Sequence, residues 1–114
     1  MLIARYIPTE RSDMGKKAAE VLKITYEELE EYLHVNHSVY MRVGSKVYYI
    51  TDANENYWRA QDTSIRNHKN HFVDCSDLVP TVGEFLSLRF VNGHTIEESF
   101  DQATFYASIK GEKD

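Results

Sequence analysis

Two tetrapeptides of the form His-x-Asn-His, His34-Val35-Asn36-His37 and His68-Lys69-Asn70-His71, hold four of the five histidines in this chain. Imidazoles three residues apart can share one divalent ion where the backbone turns tightly, and Asp74 and Cys75 follow the second pair closely enough to complete a tetrahedral zinc set. That spacing is much less specific than paired Cys-x-x-Cys units, and a structural zinc site normally draws on more thiolates than a single cysteine supplies. Histidines also gather in polar loops without any ligand. No metal is therefore expected, and His34, His37, His68, His71, Asp74 and Cys75 stand as an alternative ligand or metal site.

Cys75 with His68 or His71 could in principle form a thiolate and its base. Asp74 and Asp77 would raise the thiol's pKa if close, and no signature of a thiol enzyme surrounds it, so an inert thiol is expected. The run Asp52-Ala53-Asn54-Glu55-Asn56 imitates the start of a calcium loop. Its sixth position is Tyr57 where glycine must make the turn, and its twelfth is Thr63 where a bidentate Glu is required, so it reads as a hairpin turn. No glycine-rich phosphate loop, dinucleotide fingerprint or Gly-x-Ser-x-Gly elbow occurs. Neither catalysis nor a cofactor is expected.

Residues suited to binding a protein are of two kinds. Glu27, Glu28, Glu30 and Glu31 lie on one predicted helix. Trp58 and Arg59 belong to the types that carry binding energy at interfaces, and strand alternation sends them to opposite faces of a sheet, so at most one of them meets a partner there. A buried, structural Trp58 is the commoner outcome for a lone tryptophan.

The elements that must position these residues fit one domain of 114 residues. The chain is 42% hydrophobic and 27% charged, as in ordinary packed proteins. Its formal charge of -5 favours solubility and repels phosphate and anionic lipid. No basic leader or bilayer-length apolar run appears, and a lone cysteine forms no internal disulfide, so the cytoplasm is the expected compartment.

Leu2, Ile3, Tyr6 and Ile7 predict a strand over residues 2–7, and Met14, Ala18, Val21 and Leu22 predict a helix over residues 14–23. Thr25 and Glu28 form a capping box that opens a second helix, with Tyr26, Leu29 and Leu33 on one face. Ala18, Ala19, Leu22, Ile24, Thr25, Leu29 and Leu33 resemble the packing positions of helix-turn-helix cores. The pattern departs from that family at Lys23, where glycine often makes the turn, and at the four glutamates, which replace base-reading residues. Four carboxylates beside a phosphodiester chain would oppose counterion release, so nucleic acid is not an expected partner.

From Val39 the period becomes two, and Gly44-Ser45 and residues 52–56 supply turns for a three-stranded meander. Residues 62–80 show little periodicity and read as an unusually long loop, with a brief strand at Phe72-Val73. The sequences Thr81-Val82-Gly83-Glu84 and Thr95-Ile96-Glu97-Glu98 repeat the capping pattern and predict helices over residues 82–89 and 96–108.

These elements define an α+β fold in which an antiparallel sheet packs with an N-terminal helical hairpin and two C-terminal helices. The expected function is that of a non-catalytic cytoplasmic regulatory or adaptor module acting by protein contact. An exposed sheet edge adds a homodimer to the expected partners. The alternative is a small-ligand or metal-binding domain, or a minor enzyme, using the loop at residues 62–80. Membrane association is not expected.

Overall fold

A computed structural model describes residues 21–54 and 56–107. Its first strand, β1 (Val21–Leu22), is followed by helix α1 (Tyr26–Asn36) and by strands β2 (Ser38–Val43), β3 (Lys46–Ala53), β4 (Tyr57–Arg66) and β5 (Phe72–Asp74). Two short helices, α2 (Val82–Leu86) and α3 (Ile96–Ser99), precede a 3-10 turn at Phe100–Gln102 and the final strand β6 (Ala103–Tyr106). Among the described residues the six strands form one antiparallel sheet in the order β1-β6-β2-β3-β4-β5.

Alternation along the strands sorts their side chains onto two faces. Val39, Met41, Tyr48, Ile50, Trp58, Ala60 and Phe105 are opposed in register on one face and buried there. Leu29 and Leu33 of α1, Val82, Phe85 and Leu86 of α2, and Ile96 of α3 join them in one core. The other face carries the cross-strand row Tyr106, Tyr40, Tyr49, Gln61 and Asp74. Along it the rings of Tyr40 and Tyr49 lie 4.6 Å apart and those of Tyr49 and Phe72 lie 6.1 Å apart.

Local chemistry sets the helix ends. Thr25 caps α1 reciprocally with Glu28: Thr25 N–H donates to Glu28 Oε1 at 2.9 Å and Glu28 N–H to Thr25 Oγ1 at 3.2 Å. His37 ends the helix in the left-handed region at φ 65°, and its N–H donates to the Leu33 carbonyl at 2.8 Å. Histidine is among the non-glycine residues that tolerate this region best. The same reciprocal cap recurs at Thr95 and Glu98. No helix of the described residues is long and apolar enough to cross a membrane.

The antiparallel sheet with helices agrees with the expected α+β class, and several finer expectations need correction. Val21 and Leu22 pair with Tyr106 and Phe105 as a strand, so the C-terminal part of the helix expected over residues 14–23 is absent. The helical hairpin expected from that helix and α1 is thereby unsupported, as is the likeness to a helix-turn-helix core; residues 14–20 and the strand expected over residues 2–7 lie outside the described residues. The helix expected over residues 82–89 stops at Leu86. That expected over residues 96–108 yields after Ser99 to the 3-10 turn and β6, because Thr104, Phe105 and Tyr106 pair with Arg42, Met41 and Tyr40 of β2. Tertiary pairing outweighs local helical spacing there.

Residues 62–80 are not an unstructured loop. β4 extends to Arg66, and Asn67 closes the hairpin to β5 by accepting at Oδ1 from Lys69 N–H at 2.8 Å and His71 N–H at 3.1 Å. The chain beyond β5 is then bonded back to β4. Cys75 N–H donates to the Ala60 carbonyl at 2.8 Å, Ser76 Oγ accepts from Ala60 N–H at 2.9 Å, and Val79 and Trp58 exchange backbone bonds of 3.1 and 2.7 Å.

Candidate functional site

The glutamates of α1 are all exposed. Glu28 is committed to its cap, and Glu30 Oε2 lies 3.7 Å from His34 Nε2. Among the described residues none of the four meets a lysine or arginine; the cations of Lys46, Arg59 and Arg89 pair with Asp62, Asp74 and Glu98 instead. Burial raises the pKa of the Tyr26 hydroxyl, and the fields of Glu97, Glu30 and Glu27 raise it further. Glu97 of α3 therefore adds to the negative potential of α1 beside the Tyr26 ring, which itself packs edge-on against Phe100 at 5.8 Å. Sequence spacing identified the α1 carboxylates; Glu97 joins them only through the packing of α3.

His34 and His37 frame Trp58 at the C-terminal end of α1. The His37 ring stacks on the indole at 6.3 Å with 5° between planes, and His34 approaches it edge-on at 6.5 Å. His37 Nδ1 also lies 2.7 Å from Asp52 Oδ2, and the His37 carbonyl accepts from Thr51 Oγ1 at 3.0 Å. These contacts fasten the helix end to β3 and β4.

His68 and His71 are exposed in the turn beyond the opposite end of β4. From Trp58 to Arg66 the strand spans roughly 25 Å at the usual rise per residue, so the two histidine pairs do not converge. Among the described residues no group of three or more His, Cys, Asp or Glu side chains is arranged to hold a metal ion.

Trp58 is 6% exposed and belongs to the core. Arg59, its neighbour, projects from the opposite face, where its Nε donates to Asp74 Oδ1 at 3.2 Å. Gln61 Nε2 donates to the same oxygen at 3.0 Å. Arg59 Nη1 is buried with no acceptor among the described residues. Asp74 Oδ1 is thus shared by Arg59 and Gln61 on that face of the sheet.

Cys75 opens instead toward the core face. Burial pushes its thiol up to about 11, with the fields of Asp62 and Asp74 acting in the same direction and Lys46 against them. A thiol so shifted stays protonated at neutral pH and is a poor nucleophile. Close by, Asp62 is 5% exposed and accepts from Lys46 Nζ at 2.7 Å, Ser64 N–H at 2.9 Å and Ser64 Oγ at 2.6 Å. These bonds hold its carboxyl at about 2, well below the ordinary value. The pair is neutral and internally satisfied, which suits a structural role.

Residues 74–77 and 88–90 line an open pocket of about 490 Å³. Phe90 forms part of it and is held edge-on by Tyr48 at 5.2 Å and tilted against Phe85 at 5.3 Å. Leu88, Phe90 and Asp77 had no sequence signal as site residues, because the two walls come from segments on either side of α2.

Compared with known protein families, with curated proteins and with solved structures, the chain matches none of them.

Proposed function

We propose that this chain is a non-catalytic regulatory or adaptor module of the cytoplasm that works by contacting a protein partner with a basic surface. The observation that carries the reading is the set of exposed carboxylates on α1, Glu27, Glu28, Glu30 and Glu31, which have no lysine or arginine partner among the described residues. Glu97 strengthens the same negative field. Such a surface accelerates encounter with a positively charged partner and repels nucleic acid. The non-catalytic part of the reading is supported by the Cys75 thiol, which stays protonated at neutral pH, and by Asp74 Oδ1, which is held by Arg59 and Gln61.

The test compares partners captured from native lysate by the parent chain and by a triple variant, Glu27→Gln, Glu30→Gln and Glu31→Gln. Glu28 is kept because it caps α1. A partner released by added salt and depleted about tenfold from the variant is expected, since several charges act together. Equal recovery from both chains would overturn the proposal. Self-association is a subsidiary proposal, checked by sedimentation of the parent chain over a range of concentrations.

A second reading, a small-ligand domain using residues 62–80, is favoured by one observation: Asp74 and Cys75 both line the open pocket.

A further inference from the structure

The pocket between residues 74–77 and 88–90 has walls of unlike chemistry. Leu88 and Phe90 supply apolar surface, and Phe90 is fixed in place by the rings of Tyr48 and Phe85. Asp77 lines the same pocket; its side chain is exposed and has no hydrogen-bond or ion-pair partner among the described residues, and only its main-chain carbonyl is used, by Ser76 Oγ at 3.0 Å. The other charges of the pocket are already committed. Asp74 Oδ1 accepts from Arg59 and Gln61, and Arg89 Nη1 donates to Glu98 Oε1 at 2.9 Å and to the Gly93 carbonyl at 3.3 Å.

The geometry points to this pocket as the seat for a lysine or arginine side chain of the basic partner, with the stem against Leu88 and Phe90 and the charged head at Asp77. Long basic side chains combine an apolar stem with a cationic tip, which matches a pocket lined by both apolar side chains and an unpaired carboxylate. An anionic side chain would meet Asp77 unfavourably, and a purely apolar one would shield that carboxylate from water without compensating it. The Cys75 thiol, raised chiefly by burial and further by the fields of Asp62 and Asp74 against Lys46, adds no charge of its own to the pocket at neutral pH. The open pocket, about 490 Å³ in volume, has room for one such side chain.

This inference rests on the proposed basic partner, but the two are tested separately. The full chain, labelled with nitrogen-15, is titrated with N-acetyl-arginine amide, N-acetyl-lysine amide and the neutral analogue N-acetyl-citrulline amide. The two cationic probes are expected to move the amide resonances of residues 74–77 and 88–90, and citrulline to leave them in place. Asp77→Asn, an exposed change, is expected to weaken the cationic probes about fivefold, the upper range for a single exposed charge pair. Absence of those shifts, equal shifts from citrulline, or unchanged affinity in Asp77→Asn would overturn the pocket assignment. The triple glutamine variant of α1 is expected to bind the probes as the parent does. Its unchanged capture of a partner would count against the proposed function, whereas missing shifts count against the pocket alone.

Discussion

Lys46 and Asp62 meet at 2.7 Å as diagonal neighbours on adjacent strands, Lys46 standing two residues from Tyr48, the register partner of Asp62. Lys46 keeps 42% of its side chain exposed while Asp62 keeps 7%, so the pair joins a solvated cation to a nearly buried carboxylate. Diagonal pairs of opposite charge stabilise a sheet modestly. Here Ser64 adds two donors to the same carboxylate, which spans the irregular register between β4 and β5.

Acid sensitivity should follow from that carboxylate. Its folded pKa is depressed from 3.8 to about 2, so its contribution is fully present above the unfolded value and is lost as the pH falls from about 4 toward 2. With screening on the exposed Lys46 side, the contribution is on the order of 1 kcal/mol. Lys46 is shifted upward, chiefly by its hydrogen bond to Asp62, so its part is lost only at the alkaline end, as the pH rises through its folded value. Urea denaturation across the acid range should show a stability drop that is smaller in Asp62→Asn. Equal acid dependence in the two chains would refute this account.

The single tryptophan reports on the end of α1. Replacing His37 by Asn preserves a residue that tolerates the left-handed backbone at φ 65° while removing the ring stacked on Trp58. His37→Asn should shift tryptophan emission to longer wavelength as one face of the indole meets water, and should lower stability by about 1 kcal/mol through loss of the bond to Asp52. An unchanged emission maximum would mean that the stack does not shield the indole.

Cys75 should be slow to alkylate despite its exposure. Raising the thiol from 9.0 to about 11 cuts the thiolate fraction near neutral pH about a hundredfold. Iodoacetamide should label the native chain far more slowly than the urea-unfolded chain, and the native rate should keep climbing with pH beyond 9. Equal rates for the two forms at pH 8 would contradict the shift.

Features governed by near neighbours in sequence were legible. The Thr25–Glu28 and Thr95–Glu98 caps depend on atoms three residues apart, and the alternation of β2 and β3 follows from burying only one set of side chains in the helix-covered core. Opposite faces for Trp58 and Arg59 followed from the same alternation. Pairings between distant segments were not legible. Ile96, Phe100 and Ala103 keep helical spacing, yet β6 is decided by β2, a partner some sixty residues earlier by register. Residues 62–80 looked aperiodic because a register irregularity after Asp62 breaks the alternation and because residues 75–79 bond to β4 without forming a regular strand. Of the candidate site, the glutamates of α1 were readable, whereas the pocket joins residues 74–77 to residues 88–90 across α2 and has no local pattern.

The brevity of β5 has a bearing on how copies of this chain behave at high concentration. Its run of three residues gives an incoming chain few main-chain groups on which to template further strands, and the segment beyond it folds back onto Ala60 and Trp58 rather than lying open. A sheet flank finished in this way resists fibrillar growth from that side without needing proline or a row of lysines to block it.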